Sequence, residues 1–529
     1  MKKKAIFIVS RNKNFKEIKN NLVLFAGKYC LSEKLEKKLK TKKIKYEFLK
    51  NIYNDKKKNL KEFNFCNAVY IKILKELSIQ LNKVHNINWT ERSWEIFIGP
   101  WLNRYVAVIN NRLNLLEAAN KKYEIVFQKK NRKQILLFSD IFDFTNKSIN
   151  DKWNNDFIQR LNDIKKTKNL NYEYLKYFKF KDIEKSETFS QKIFFYLKNI
   201  SNFFFCIFYY FNLNKCVFNR VYFNSTKTVL KLFFKLKEIP TKFYFSEINF
   251  KKNFNLKKRE NIKINYEVKN YKEKIIRFLL KEMIPTIYLE GFSKLKQTLK
   301  SHNVPRNKIL IFTRNLWRDD IFKFWIANQV NNRSKLVCGQ HGAGYGMFEG
   351  TFGDFFETRI SNIFFTWGQK EKLSPKIKRG TIPSAIQIIK NKNKKRNLLK
   401  NNKILFVGGA KNVFLFRNAL FNDNDYSNYI YDFAKNLNTK LYKNLIFKPH
   451  PMEHRKNISY TKLISLAFNN KIKILKKKDD LENLILNSKI SIFNYLGTEF
   501  LKNLALNVPS ICLSIGANNS YPCIFALYS

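Results

Sequence analysis

Two histidines stand where a sheet would aim them at a substrate. His341 lies in the run Gln340-His341-Gly342-Ala343-Gly344-Tyr345-Gly346, just past the apolar stretch Lys335–Gly339, which reads as a buried strand. Three of the five residues after it are glycine, so the backbone can turn sharply and approach a ligand closely. Imidazole titrates near neutral pH, which suits it to take a proton from a hydroxyl. His450 lies in Lys448-Pro449-His450-Pro451, past the apolar run Leu445–Phe447. A lysine and an imidazole on a backbone fixed by prolines suit a phosphate or diphosphate. The ordinary alternatives are a histidine that only shapes its turn and a rigid, solvated corner.

Two more strand ends can join them. Gly408-Gly409 follows Ile404–Val407, and Gly497-Thr498-Glu499 opens a helix running to Leu506. Thr498 is expected to cap that helix. The helix start offers free amides to an anion, with Glu499 beside it for ribose hydroxyls. The candidate carboxylates are Asp140, Asp143, Glu349, Asp354 and Glu357. Glu357, 16 residues beyond His341, is taken as the catalytic one. Walker A, GxSxG and HExxH patterns are absent. The seven cysteines form no CxxC pair, which argues against a disulfide framework or a zinc site. No metal and no cofactor are expected.

Elements that would position these residues follow from apolar periodicity. Ala5–Val9 reads as a first strand and 70–81 as a helix; Gly99-Pro100 should end one helix before the next begins at Val106. Gln134–Phe138 and Lys308–Thr313 read as strands, and 316–330 as a helix. Between 150 and 300 an aromatic, lysine-rich pattern hides the topology. Its most apolar window, Ile193–Leu213, is broken by Lys198, Asn199, Ser201 and Asn202, so it reads as a buried helix and not a membrane span. Residues 386–402 are basic and read as a linker between a region 1–385 and a region 403–529. Beyond it strands and helices alternate, as in a parallel sheet with helices on both faces. Ligands bind such sheets outside the carboxyl ends of the strands.

Lys and Arg number 101 against 41 Asp and Glu, a formal charge of +60. The lysines are spread along the whole chain and accompany Asn, Ile, Phe and Tyr, a pattern that compositional bias explains better than a nucleic-acid site. A basic surface still favours anionic lipid head groups.

In their order, these motifs resemble the two-domain transferases of bacterial surface-polymer synthesis: teichoic-acid glycerophosphotransferases, capsule Kdo transferases and polysialyltransferases. More closely, the chain resembles a family of bacterial surface-carbohydrate transferases. The stretches that carry the likeness are FAGKYC at 25–30, LNKVHNINWTERSWEIFIGPWL at 81–102, NNR at 110–112, DKWNNDF at 151–157, QHGAGYG at 340–346, FFTWG at 364–368, KPHP at 448–451 and NYLGTEFLKNLALNVP at 494–509. The resemblance implies a GT-B-like α/β fold, two Rossmann-like domains facing across a cleft, here with a helix-rich N-terminal elaboration. It implies His341 as base, with Gly342, Gly344, Tyr345 and Gly346 as its acceptor loop. Gly408, Gly409, Lys448, His450, Thr498 and Glu499 would then hold the nucleotide donor. Ala343, Asn362 and Gln369 depart from the expected glycine, aspartate and aromatic. The stretch after the last strand is too short for the closing helices of such folds, so a shortened C-terminus is expected.

The expected activity is transfer of a sugar from a nucleotide, CMP-linked, to a lipid-linked or polysaccharide acceptor. Its place would be the cytoplasmic face of the inner membrane, held peripherally through anionic lipid. The alternatives are transfer of glycerol or ribitol phosphate from a CDP-alcohol and, from a different class, a basic nucleic-acid-binding protein.

Overall fold

The computed structural model describes residues 2–10, 22–50, 55–127, 134–167, 179–181, 189–219, 226–241, 254–301, 304–306, 309–314, 316–317, 319–343, 345, 352–367, 375–380, 402–409, 414–415, 417–418, 426–451, 460–476, 478–495 and 497–513. The architecture is α/β and GT-B-like, built on parallel sheets.

The first sheet belongs to the N-terminal elaboration. Its elements are β1 (Lys4–Ile8), β2 (Leu22–Phe25), α1 (Glu33–Thr41), β3 (Tyr46–Phe48), α2 (Lys56–His85), α3 (Glu91–Lys122) and β4 (Glu124–Val126). The strands run parallel in the order β3-β2-β1-β4. Only β1 is legible as a strand in the sequence, because the others are three or four residues long and sit among lysines and asparagines. The expected break at Gly99-Pro100 does not occur: both residues lie inside α3. Every side chain from Ser93 to Leu116 is buried, and that packing offsets the roughly 3 kcal/mol a proline costs within a helix. Gly99 serves the packing directly. A Cβ there would lie 2.7 Å from Tyr70 Oη and 3.0 Å from the Phe356 ring.

The middle of the chain supplies β5 (Gln134–Leu136), α4 (Ile141–Ser148), α5 (Asp151–Lys166), β6 (Lys179–Lys181), α6 (Phe189–Tyr210), β7 (Cys216–Asn219), α7 (Thr226–Lys235), α8 (Leu256–Glu260), α9 (Tyr271–Met283) and α10 (Phe292–Ser301). It continues with β8 (Leu310–Thr313), α11 (Asp320–Asn331), β9 (Lys335–Gly339), α12 (Phe352–Ile360), β10 (Ile363–Thr366) and β11 (Ile377–Arg379). Strands β7 to β11 form one parallel sheet in chain order, and β5 pairs with β6 apart from it. Helix α6 is not the buried helix its composition suggests, for Ile193, Leu197 and Phe204 are exposed.

The last sheet contains β12 (Ile404–Val407), α13 (Tyr426–Asn436), β13 (Leu445–Lys448), α14 (Tyr460–Ala467), β14 (Lys473–Ile474), α15 (Leu481–Leu486), β15 (Ile490–Phe493), α16 (Thr498–Ala505) and β16 (Ser510–Cys512). Its order is β14-β13-β12-β15-β16, all parallel. Alternate residues feed two apolar clusters. Leu405, Val407, Ile446 and Phe493 enter one, while Phe406, Leu445, Phe447 and Ile492 enter the other, as a sheet covered on both faces requires. The chain runs one way from β12 to β13 and β14, then returns to place β15 on the other flank of β12. That reversal is the switch point at which doubly wound sheets bind ligands. Of the linker 386–402, all but Asn402 lies outside the described residues, as do 514–529.

Candidate functional site

His341 leaves the central sheet at the carboxyl end of β9, and Gln340 braces the turn. Its backbone N–H donates to Phe365 O at 2.8 Å, its side-chain amide donates to Gly342 O at 2.9 Å, and its side-chain oxygen accepts from Trp367 N at 2.8 Å. The QHG and TWG stretches are therefore one bracket across β9 and β10. Asn362 keeps a structural duty, accepting from Leu336 N at 2.9 Å and from Arg92 at 2.6 Å. Gly344, Gly346, Glu349 and Gln369 lie outside the described residues, as does the side chain of Asp354.

Behind the imidazole is a buried polar chain. Helix α12 packs on α3 through Phe356 over Gly99 and through Arg359, which donates to Glu95 at 2.9 and 3.3 Å. This docking turns Glu357 inward, fully buried. Glu357 accepts from Tyr345 Oη at 2.5 Å and from Trp317 Nε1 at 3.2 Å. Tyr345 Oη also lies 2.5 Å from His341 Nδ1. A carboxylate can only accept, so the phenol proton points to Glu357, and the phenol oxygen is left to accept from Nδ1–H. That tautomer leaves the lone pair on Nε2, in a side chain that is 30% exposed. The carboxylate, 3.9 Å from Nδ1, would stabilise the imidazolium once Nε2 takes a proton. Asp140 and Asp143 do not join this group. Asp140 caps α4 by accepting from Asp143 N at 2.7 Å, and Asp143 pairs with Lys147 at 2.8 Å. Burial, then the neighbouring Asp320, raises the Asp140 carboxyl.

Two arginines feel the same tyrosine. Arg314 follows β8 and is buried, which lowers its guanidinium to about 10 against the opposing pull of Tyr345. Arg417 reaches Tyr345 electrostatically from the other half of the chain. It is open to solvent on one side, yet the protein around it desolvates it enough to lower its guanidinium. Its position is set by its neighbours. Phe414 is buried against Tyr29, ring centroids 6.1 Å apart, and under the Arg112 guanidinium at 5.3 Å. Arg112 donates to Leu415 O at 2.5 Å, to Asn154 at 2.9 Å and to Ser148 O at 2.8 Å. Asn418 donates to Phe63 O at 3.1 Å and to Asn67 at 2.8 Å. The FAGKYC, NNR and DKWNNDF stretches thus act together, forming a socket for Phe414 and Leu415.

On the last sheet, Thr498 does not cap its helix. It is the first residue of α16, behind Gly497, and its hydroxyl accepts from Ala343 N at 3.2 Å. The two sheets therefore touch at their carboxyl ends, two residues from His341. Gly408 N donates to Lys448 O at 3.0 Å and Gly409 N to Asn494 Oδ1 at 2.8 Å, so both amides are engaged within the sheet edge. Either glycine would collide as alanine, with the Phe447 ring at 2.6 Å or with the Tyr495 ring at 2.9 Å. Lys448 is buried, and its ammonium donates to Lys476 O at 3.1 Å on the β14 side. Burial lowers it and Asp479 opposes that. His450 is half-buried just past β13. Glu499 pairs with Lys502 at 3.3 Å. Burial first, then Glu499, raises the Tyr495 phenol. Strands β13 and β15 flank β12, which sets their exits about 10 Å apart, two strand spacings.

The family model described as LIC12162 family transferase matches residues 5–518. The chain belongs to that family. It is a transferase. No curated protein matches it.

For the transferase, the sequence left Trp317, Arg314, Arg417 and Asn494 unread. Asn494, directly after a strand and before Gly497, had a usable position. Arg417 had none, because its placement depends on a socket assembled from residues some 300 positions earlier.

Proposed function

We propose that the transferase moves a sugar from a nucleotide donor, CMP-linked, to a hydroxyl of a lipid-linked or polymeric surface carbohydrate. Residues 1–385 would form the acceptor side and 403–529 the donor side, working at the cytoplasmic membrane face. The observation that carries this reading is the Ala343 N–Thr498 Oγ1 contact, which sets the His341 loop against the helix start of the donor sheet. In the proposed step the acceptor oxygen attacks the anomeric carbon. His341 Nε2 takes the hydroxyl proton, and the bond from that carbon to the phosphate oxygen breaks with its electron pair on the nucleotide. Arg314, Arg417 and the α16 amides would meet the leaving charge, as fixed donors and cations do in a preorganised site. The α16 start and Glu499 would take the phosphate and ribose, with His450 donating from the neighbouring strand.

Calorimetric titration tests the donor. CMP should bind more tightly than UMP or AMP, and His450→Ala should weaken it by about 1.5–3 kcal/mol, the worth of a hydrogen bond to a charged group. Equal or absent binding of all three nucleotides contradicts the reading. The arginines beside Tyr345 would also suit phosphoryl transfer, so CDP-glycerol belongs in the same panel; turnover with it and not with CMP-sugars would favour alcohol-phosphate transfer.

A further inference from the structure

Helix α6 carries apolar side chains to the outside in a pattern that its own fold does not use. Ile193, Leu197, Ile200, Phe204, Ile207 and Phe211 are each between 37% and 64% exposed. Their spacing alternates four and three residues. At about 100° per residue, that puts all six within an arc of roughly 80°. The opposite face anchors the helix: Asn202 and Tyr209 are buried, and Tyr209 Oη donates to Cys216 O at 2.9 Å. Helix α7 also exposes apolar side chains, Leu230 and Phe234, at 39% and 71%. Its end is tied to the exit of α6, where Asn214 donates to Ile239 O at 3.0 Å and Lys215 N donates to Glu238.

The charge around this patch is one-sided. From Phe189 to Lys237 the sequence has eight basic residues and no Asp or Glu. Lys215, Lys231, Lys235 and Lys237 are exposed. Among the described residues no helix is long and apolar enough to cross a membrane. An apolar stripe with cations beside it and no acid is the pattern of a helix lying in the head-group region of a bilayer. We infer that α6 and α7 form a docking surface for an anionic lipid bilayer, with the α6 stripe inserted among the acyl chains and the lysines on the phosphates. Binding then has two components, a salt-sensitive one from the lysines and a salt-resistant one from the stripe.

The test uses the full chain and needs no donor or acceptor, so its failure would leave the transfer reading untouched. Vesicles of phosphatidylcholine with phosphatidylglycerol should sediment the protein, and part of it should stay bound at high salt. Leu197→Glu with Phe204→Glu should lower the partition coefficient roughly tenfold or more, because two large apolar side chains no longer enter the bilayer. Independently, Phe204→Trp should show an added indole emission that shifts to the blue on these vesicles and is quenched by brominated lipid. This second variant decides the matter if the charged one fails to fold. Wild-type partitioning of a folded double-glutamate variant would overturn the inference. An unquenched indole on bound protein would also overturn it, as would a stable dimer that the glutamates dissolve, since a second copy would then own the stripe.

Discussion

The two sides of the site are held in different ways. The His341 side rests on one continuous apolar cluster from Ala5 to Phe364, with α3 buried through its middle. Each polar partner behind the imidazole is fixed by packing: Gly99 admits Phe356, α12 turns Glu357 inward, and Glu357 orients Tyr345. Among the described residues the last sheet has two separate clusters, of ten and eight buried residues. Small cores hold their loops less firmly, and the loop that carries Arg417 is gripped by the other half through Arg112, Asn67 and Asn103. The His341 side is preorganised by its own core, whereas the last sheet borrows rigidity from its neighbour.

Removing the borrowed grip should have the largest effect. Phe414→Ala should cost on the order of 3 kcal/mol, as loss of a buried phenylalanine does. Hydrogen exchange should show the loss confined to the last sheet and its loops. Uniform destabilisation of both halves would contradict the asymmetry. Next comes Glu357→Gln, which should lower turnover by about 10²-fold, within the usual range for an acid–base device. Nucleotide affinity should hardly change, because Glu357 lies on the other side of the contact. A parallel loss of nucleotide binding would erase the division of labour.

The packed side also contains a titrating group. His85 is stacked on Phe292 at 3.8 Å, its Nε2 lies 3.0 Å from Tyr288 O, and burial lowers it from 6.5 to about 4. Above pH 6.5 the ring is neutral in both folded and unfolded chain, so it has no effect on stability. As pH falls from 6.5 toward 4 the unfolded chain takes the proton first, and stability is lost, by about 1–2 kcal/mol at pH 5. Thermal melts should therefore fall less steeply with acid for His85→Gln than for the wild type. Equal slopes would show that the ring is protonated in the folded protein. The smallest effect is expected at the junction: Thr498→Val should cost about 1 kcal/mol, read as a weaker coupling between His341 and donor-site substitutions in a double-mutant cycle.

The sequence announced the last sheet well, because Ile404–Val407 and Leu445–Phe447 are unbroken apolar runs, Ile490, Ile492 and Phe493 mark β15, and the turns bear Gly, Pro or an acidic cap. It announced the rest of the first sheet poorly, because β2, β3 and β4, on either side of β1, are too short to show a period. Gly99-Pro100 misled for a physical reason: local propensity favours a break, and tertiary packing overrides it. Thr498 misled in the same way, since a hydroxyl that could cap its own helix instead meets Ala343 from another sheet. Among the candidate carboxylates the sequence nominated Glu357 only by its nearness to His341; packing gives the physical reason, burying it against Tyr345 while Asp140 and Asp143 cap or pair locally.

The most direct measurement of the central claim pairs turnover with nucleotide affinity in His341→Ala. In the proposed reaction His341 would be the base on one sheet while the nucleotide would sit on the other. Turnover should fall by roughly 10²-fold or more, with the Kd for CMP within about threefold of wild type, a difference below 1 kcal/mol. Wild-type turnover in that variant would contradict the account, and so would a collapse of CMP binding together with turnover.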